Sequence, residues 1–325
     1  MFKIKENLFF YFTLILLTII SFRSRGSDLI PAFIESYKFM NPDYLINKYN
    51  KKGMGLKGNV YELKLYSIKP IYKFGEIDEE KKREIKDYTF DENGNLIYKC
   101  VYDPYTPPDP YIEKESETIY TFSGDSVIVS IKGRRVDARE IYYSYDYDSN
   151  GHLKEIHTCK YVNGYLDENK ESKITFNYSG NDYSGVYWKN IKDKITFNKI
   201  GNKFSYTSEA YGLKSETVLI LNNNGKVIGN CSGQYKIEYN KEGDIISIKL
   251  FHRGSIIDSE EWEYLYDDKG NWVERKIYKT IGTKKLKTWL RREITYLTTD
   301  EIRKLKHKKT MEENEEEQRA FLKLK

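Results

Sequence analysis

The sequence predicts an all-β protein: consecutive antiparallel hairpins in a large twisted, curled sheet, with short helices at both ends. Three observations predict it. The stretch "YTFDENGNL" recurs in altered form along the chain, each copy carrying Asp or Asn three residues before a Gly. Large apolar residues step back from these copies with period two, as in Tyr143-x-Tyr145-x-Tyr147, which is the pattern of a half-buried strand. No proline follows Pro110, as long hydrogen-bonded ladders require.

The first element is the N-terminus. "MFKIKENLFFYFTLILLTIISFRSRGS" begins with Lys3 and Lys5 and continues as an apolar run from Leu8 to Phe22. A basic start and a short apolar core are the pattern of a secretory signal. Residues 1–26 are therefore expected to be a signal peptide or an N-terminal anchor, and the rest of the chain to be exported: periplasmic, outer-membrane-associated or extracellular. Contact with a membrane is expected only through this segment, if it stays uncleaved. Residues 27–54 read as a short helical lead-in, with Asp28 as N-cap and Pro31 in the first turn.

Residues 55–297 form the expected hairpin domain. "NVYELKLYSIKPIYKF" alternates and is rich in β-branched and aromatic residues. Five strong copies of the tip follow, built on Asp91 and Gly94, Asp148 and Gly151, Asn222 and Gly225, Asn240 and Gly243, and Asp267 and Gly270. Weaker copies end at Gly180 and Gly201, and "YTFSGDSV" near Gly124 resembles a shorter one. A type I turn with a one-residue bulge needs Gly at its left-handed position, and the Asx side chain accepts hydrogen bonds from the turn backbone. That geometry predicts the cross-strand pairs Phe90/Leu96, Tyr147/Leu153, Leu221/Val227, Tyr239/Ile245 and Tyr266/Trp272. Each is worth about 0.2–1 kcal/mol. "DPYTPPDPYIE" at 103–113 reads as an extended loop. Residues 298–325 read as a charged helical tail opened by a Thr298/Glu301 capping box.

Composition narrows the function classes. Hydrophobic residues are 39% of the chain, so 30 Tyr and 15 Phe must supply much of the core. The net charge of +5 is spread among interleaved acids and bases, without the clustered basic face of a nucleic-acid binder. Cys100, Cys159 and Cys231 are too few and too uneven for a disulfide framework. "DYDSNGHL" places Asp146, Asp148 and Asn150 as in the opening of a calcium loop, but His157 stands where the last Glu ligand should be. An ordinary Asx-Gly turn explains it better. His152, His157 and Cys159 lie close in sequence without a second ligand cluster, so no metal or other cofactor is expected. No nucleophile motif, phosphate loop or dinucleotide fingerprint is present. Trp262, Tyr264, Tyr266 and Trp272 share one face around a single tip and form the candidate binding platform, or else fill the core.

The tips, with "GLKGNVYELKLYSIKPIYKFGEI", "YDDKGNWVERKIY" and "RREITY", resemble degenerate YD repeats of the RHS type and uncharacterised exported proteins of Bacteroidota-like bacteria. The resemblance implies successive hairpins, sometimes curled into a shell. The function expected is that of a non-enzymatic exported repeat protein binding a protein or glycan partner at the cell envelope. The alternatives are a structural scaffold without a ligand and an enzyme acting on polysaccharide.

Overall fold

The computed structural model describes residues 32–73, 76–102, 114–134, 136–167, 171–188, 194–210 and 213–305. The expected signal segment, the proline loop and the end of the charged tail lie outside them. Two short helices come first, α1 (Ala32–Lys38) and α2 (Pro42–Asn47). The strands are β1 (Val60–Lys73), β2 (Glu76–Phe90), β3 (Leu96–Tyr102), β4 (Lys114–Ser123), β5 (Ser126–Gly133), β6 (Val136–Tyr147), β7 (Leu153–Val162), β8 (Tyr165–Leu166), β9 (Ser172–Ser179) and β10 (Asp182–Trp188). They continue with β11 (Lys194–Ile200), β12 (Lys203–Ala210), β13 (Leu213–Leu221), β14 (Val227–Asn230), β15 (Tyr235–Tyr239), β16 (Ile245–His252), β17 (Ser255–Tyr266), β18 (Trp272–Lys279) and β19 (Lys285–Tyr296).

Every pairing is antiparallel, and all but two, β1 with β19 and β7 with β9, link neighbours in sequence. β19 pairs with β1 from Val60↔Tyr296 to Ser67↔Leu290. The two-residue β8 pairs only with the end of β7, whose remainder pairs with β9. The result is a closed up-and-down barrel of 18 strands, with β8 an appendix. Closure leaves no sheet edge. It also corrects the expected kinship with RHS-type repeats: the hairpins form one ring, not an open array of repeats.

All five predicted pairs are present, each at a register shift. The mechanism is visible at Asp91, whose Oδ1 accepts the backbone N–H of Asn93 at 2.9 Å and of Asn95 at 2.8 Å. Asp148, Asn222, Asn240 and Asp267 cap their turns in the same way. The weaker copies differ. Their turns are two residues long, with Ser179 paired to Asp182 and Ile200 to Lys203. Asn177 and Asn198 therefore sit within strands and do not start the turns.

In a meander, alternate turns share an end. The turns at Gly94, Gly124, Gly151, Gly180, Gly201, Gly225, Gly243 and Gly270 all lie on one rim. The lead-in seals that rim from inside. Lys51 N–H donates to Gly94 O at 2.8 Å, Tyr37 OH to Gly225 O at 2.9 Å, and Lys57 N–H to Asn271 Oδ1 at 2.7 Å. Tyr37 meets Phe204 edge-on, and Tyr49 meets Tyr120 and Tyr143. These partners stand on strands spaced around the ring, so residues 32–57 form a plug within it. An 18-stranded ring encloses more cross-section than one layer of side chains fills. The plug takes up that space at the Asx-Gly end, where Met40, Phe90, Phe204, Leu219 and Ile248 are almost fully buried.

Candidate functional site

Strand parity assigns each residue to a wall face. The inner face is the one that packs on the plug. On β13 it carries Leu221, Leu219, Thr217 and Ser215, which pass from buried through half-buried to exposed with distance from the sealed rim. On β7, Leu153 and Ile156 are buried and Thr158 and Lys160 are half-buried. The inner wall is thus apolar against the plug, and polar and wetter toward the opposite rim. Among the described residues no element crosses that opposite rim.

The outer face is charged. Lys173 pairs with Glu155 at 2.7 Å, Lys236 with Glu238 at 2.7 Å and Lys276 with Glu274 at 3.1 Å. Glu261 and Glu263 share Lys284. Outward aromatics are scattered. Trp188 lies under Lys194, and Trp289 is buried beneath Lys276 and Arg291. No helix among the described residues is long and apolar enough to cross a membrane.

The four aromatics singled out from sequence do share one face, and it is the inner one. Trp262 and Trp272 are 5% and 8% exposed, so they present no external platform. Tyr264 OH donates to Ile245 O, and Tyr266 OH to Asp244 Oδ2. What surrounds them was not foreseen. The Arg292 guanidinium lies 3.4 Å from the Trp272 ring centroid, and that of Arg275 lies 5.0 Å from both Trp272 and Trp262. Arg292 and Lys86 are the two cross-strand partners of Leu65, and Lys99 is paired with Tyr88, two residues on from Lys86. Burial, then Arg275 beside it, pushes Arg292 down to about 9. Burial lowers Lys86 also, and Lys99 is lowered by burial and by Lys86. In the plug, burial pushes Lys48 down to about 8, while its ammonium faces the rings of Phe39, Tyr49 and Tyr143.

A signal for these cations existed in the sequence. Lys86-x-Tyr88-x-Phe90 and Arg292-x-Ile294-x-Tyr296 continue the inward period-two pattern with a basic residue. So does Arg139-x-Ile141-x-Tyr143, and the Arg139 Nε is buried without a hydrogen-bond partner.

Inward acids are handled differently. Asp258 and Glu260, 6% and 1% exposed, pair with Lys279 at 3.3 Å and Lys287 at 2.6 Å. Trp262 Nε1 donates to Glu260 Oε2 at 3.3 Å. This is a neutralised wall pair, not two carboxylates converging on a cleft.

At the calcium-like stretch, Asp148 spends Oδ1 on the backbone of Asn150 and His152, and Asp146 pairs with Lys154 on the outer face. Asn150 is exposed at the tip. No group of three or more metal-ligating side chains occurs among the described residues. Cys159 Sγ lies 3.6 Å from His157 Nδ1 on the outer face. All three cysteines are free, with Cys100 buried and Cys231 exposed.

No family model matches the chain, and no curated protein matches it. Among solved structures, it is similar to a porin-like protein from Bacteroides uniformis, at 13% identity and a TM-score of 0.31, over 74% of this chain and 99% of that one.

Proposed function

We propose that the protein is a water-exposed barrel receptacle of the cell envelope, which takes its ligand into the lumen. One observation carries this reading: the wall is charged outside and aromatic to polar inside. A strand barrel embedded in a bilayer needs an apolar outer band, and each Lys or Arg at mid-membrane costs about 2–4 kcal/mol. The outward ion pairs of β7, β9, β15, β17 and β18 are incompatible with such a band. Location in the envelope rests on the signal-like N-terminal sequence. A partner, protein or glycan, is then expected at or within the polar mouth, not on an outer aromatic patch.

Cysteine accessibility tests the reading in the full chain, on a Cys159→Ser, Cys231→Ser background. Thr217→Cys reports the inner wall and Glu216→Cys the outer wall beside it. A small hydrophilic maleimide should label both without detergent. A bulky polymer-linked maleimide should label Thr217→Cys at least about tenfold more slowly than Glu216→Cys. Equal rates with the bulky reagent, or shielding of Glu216→Cys in membranes, would overturn it.

A further inference from the structure

We infer that the inner wall across β18, β19, β1, β2 and β3 holds a binding site for an oxyanion, a carboxylate or phosphate group carried by a small ligand that enters from the rim opposite the plug. The inference rests on the receptacle reading and adds the chemistry of what is received.

Four cations converge on this stretch of wall: Arg275, Arg292, Lys86 and Lys99. Arg292 and Lys86 flank Leu65, so their backbones stand two strand spacings apart, about 9–10 Å. After burial, the nearby charge of Lys86 lowers Lys99, and that of Arg275 lowers Arg292. Removing like charges together from water is expensive unless a counter-charge arrives. Among the described residues, Lys86, Lys99 and Arg292 have no hydrogen-bonded carboxylate. The charged and titratable groups that act on Arg292 are Arg275 on β18, Tyr88 on β2, Tyr264 on β17 and Asp244 in the turn before β16, and Tyr266 OH is bonded to Asp244 Oδ2. The contrast with Asp258 and Glu260 is informative, because there the same wall matches each inward acid with a lysine.

The geometry suits an oxyanion. Arg292 is held over the Trp272 ring, which restrains a guanidinium whose fork suits bidentate donation to an oxyanion. Its Nε is buried and has no hydrogen-bond partner. Arg275, between Trp262 and Trp272, is placed by the same aromatic pair. The two lysines add point charges on flexible stems. The residue as a whole is only half-buried, so the site is open to the lumen.

Calorimetric titration of the full chain with inorganic phosphate and with glucuronate, using glucose as the neutral control, tests the proposal. Trp fluorescence is followed in parallel, because Trp262 and Trp272 adjoin the site. The expected result is binding of at least one anion, no binding of glucose, and a change in Trp emission. Arg292→Gln should weaken binding at least tenfold. Arg292→Lys, which keeps the charge and loses the planar fork, should weaken it less. Lys236→Gln on the outer wall should leave it unchanged. Phosphate alone binding identifies a phosphoryl site, and glucuronate alone a carboxylate site. Absence of anion binding, or equal binding by folded Arg292→Gln, overturns the proposal. Labelling of Thr217→Cys separates the failures: a reactive inner wall without anion binding removes the site and leaves the receptacle standing.

Discussion

At the residue scale, the Asx-Gly tips show how a short motif dictates a local shape, and where its surroundings add to it. Gly94 and Gly151 occupy the same turn position at φ +83° and +80°. Alanine at either place meets the left-handed penalty of about 1–2 kcal/mol. Gly94 carries a second constraint, because a Cβ there would lie 2.6–2.9 Å from the Lys51 side chain, whose backbone N–H also holds Gly94 O. Around Gly151 nothing lies within 4 Å. Gly94→Ala is therefore expected to lower the urea midpoint more than Gly151→Ala, and equal losses would show that the plug does not bear on the tip. The turn itself was legible in sequence because each of its requirements is local. The second constraint was not, since Lys51 and Gly94 are brought together only when the lead-in enters the ring.

At the element scale, the hairpins were readable and the role of the lead-in was not. Periodicity identified the face shared by Trp262, Tyr264, Tyr266 and Trp272, but a strand pattern does not say whether its apolar face meets solvent, a second sheet or a plug. The weaker tips at Gly180 and Gly201 show the converse limit: Asn177 and Asn198 match the motif, yet strand pairing runs on to Ser179↔Asp182 and Ile200↔Lys203, which leaves each Asn inside the ladder and the turn two residues long. The plug also carries a pH signature. Lys48 ordinarily titrates at 10.5 and is held at about 8 in the fold. Its folded value lies below its unfolded one, so the unfolded chain binds the proton more readily. The resulting destabilisation is absent above pH 10.5, grows as pH falls to 8 and is constant below that. The stability gap between wild type and Lys48→Met should therefore change by about 1–2 kcal/mol between pH 8 and 10.5, the wild type gaining as pH rises. Parallel curves for the two proteins from chemical denaturation would disprove this account.

At the scale of the whole molecule, the ring closes through residues more than two hundred positions apart, 60–67 with 290–296. Nothing in the local sequence of β1 or β19 names its partner, since both alternate like any other strand; closure follows from the count, twist and tilt of all the strands together. That is why the sequence suggests a curled sheet and resembles an open repeat, while the molecule is a barrel. Closure predicts a strong dependence on the last strand. Truncation before Lys285 would expose β1 and β18 as free edges, and edges of this length pair with other chains. In light scattering the truncated chain is expected to form aggregates that the full chain does not; a soluble truncated chain of the same size would show that the seam contributes little.

The even number of strands in the ring has a geometric outcome. β1 begins and β19 ends at the rim of the Asx-Gly turns, where Leu297 N–H bonds to Asn59 O and Thr298 opens a last helical turn with Glu301. The first and last strands of the ring thus share one base. With the two strands that close the ring starting and finishing at the plugged end, that end is a foot and the other a bowl, and the seam runs the height of the vessel between them.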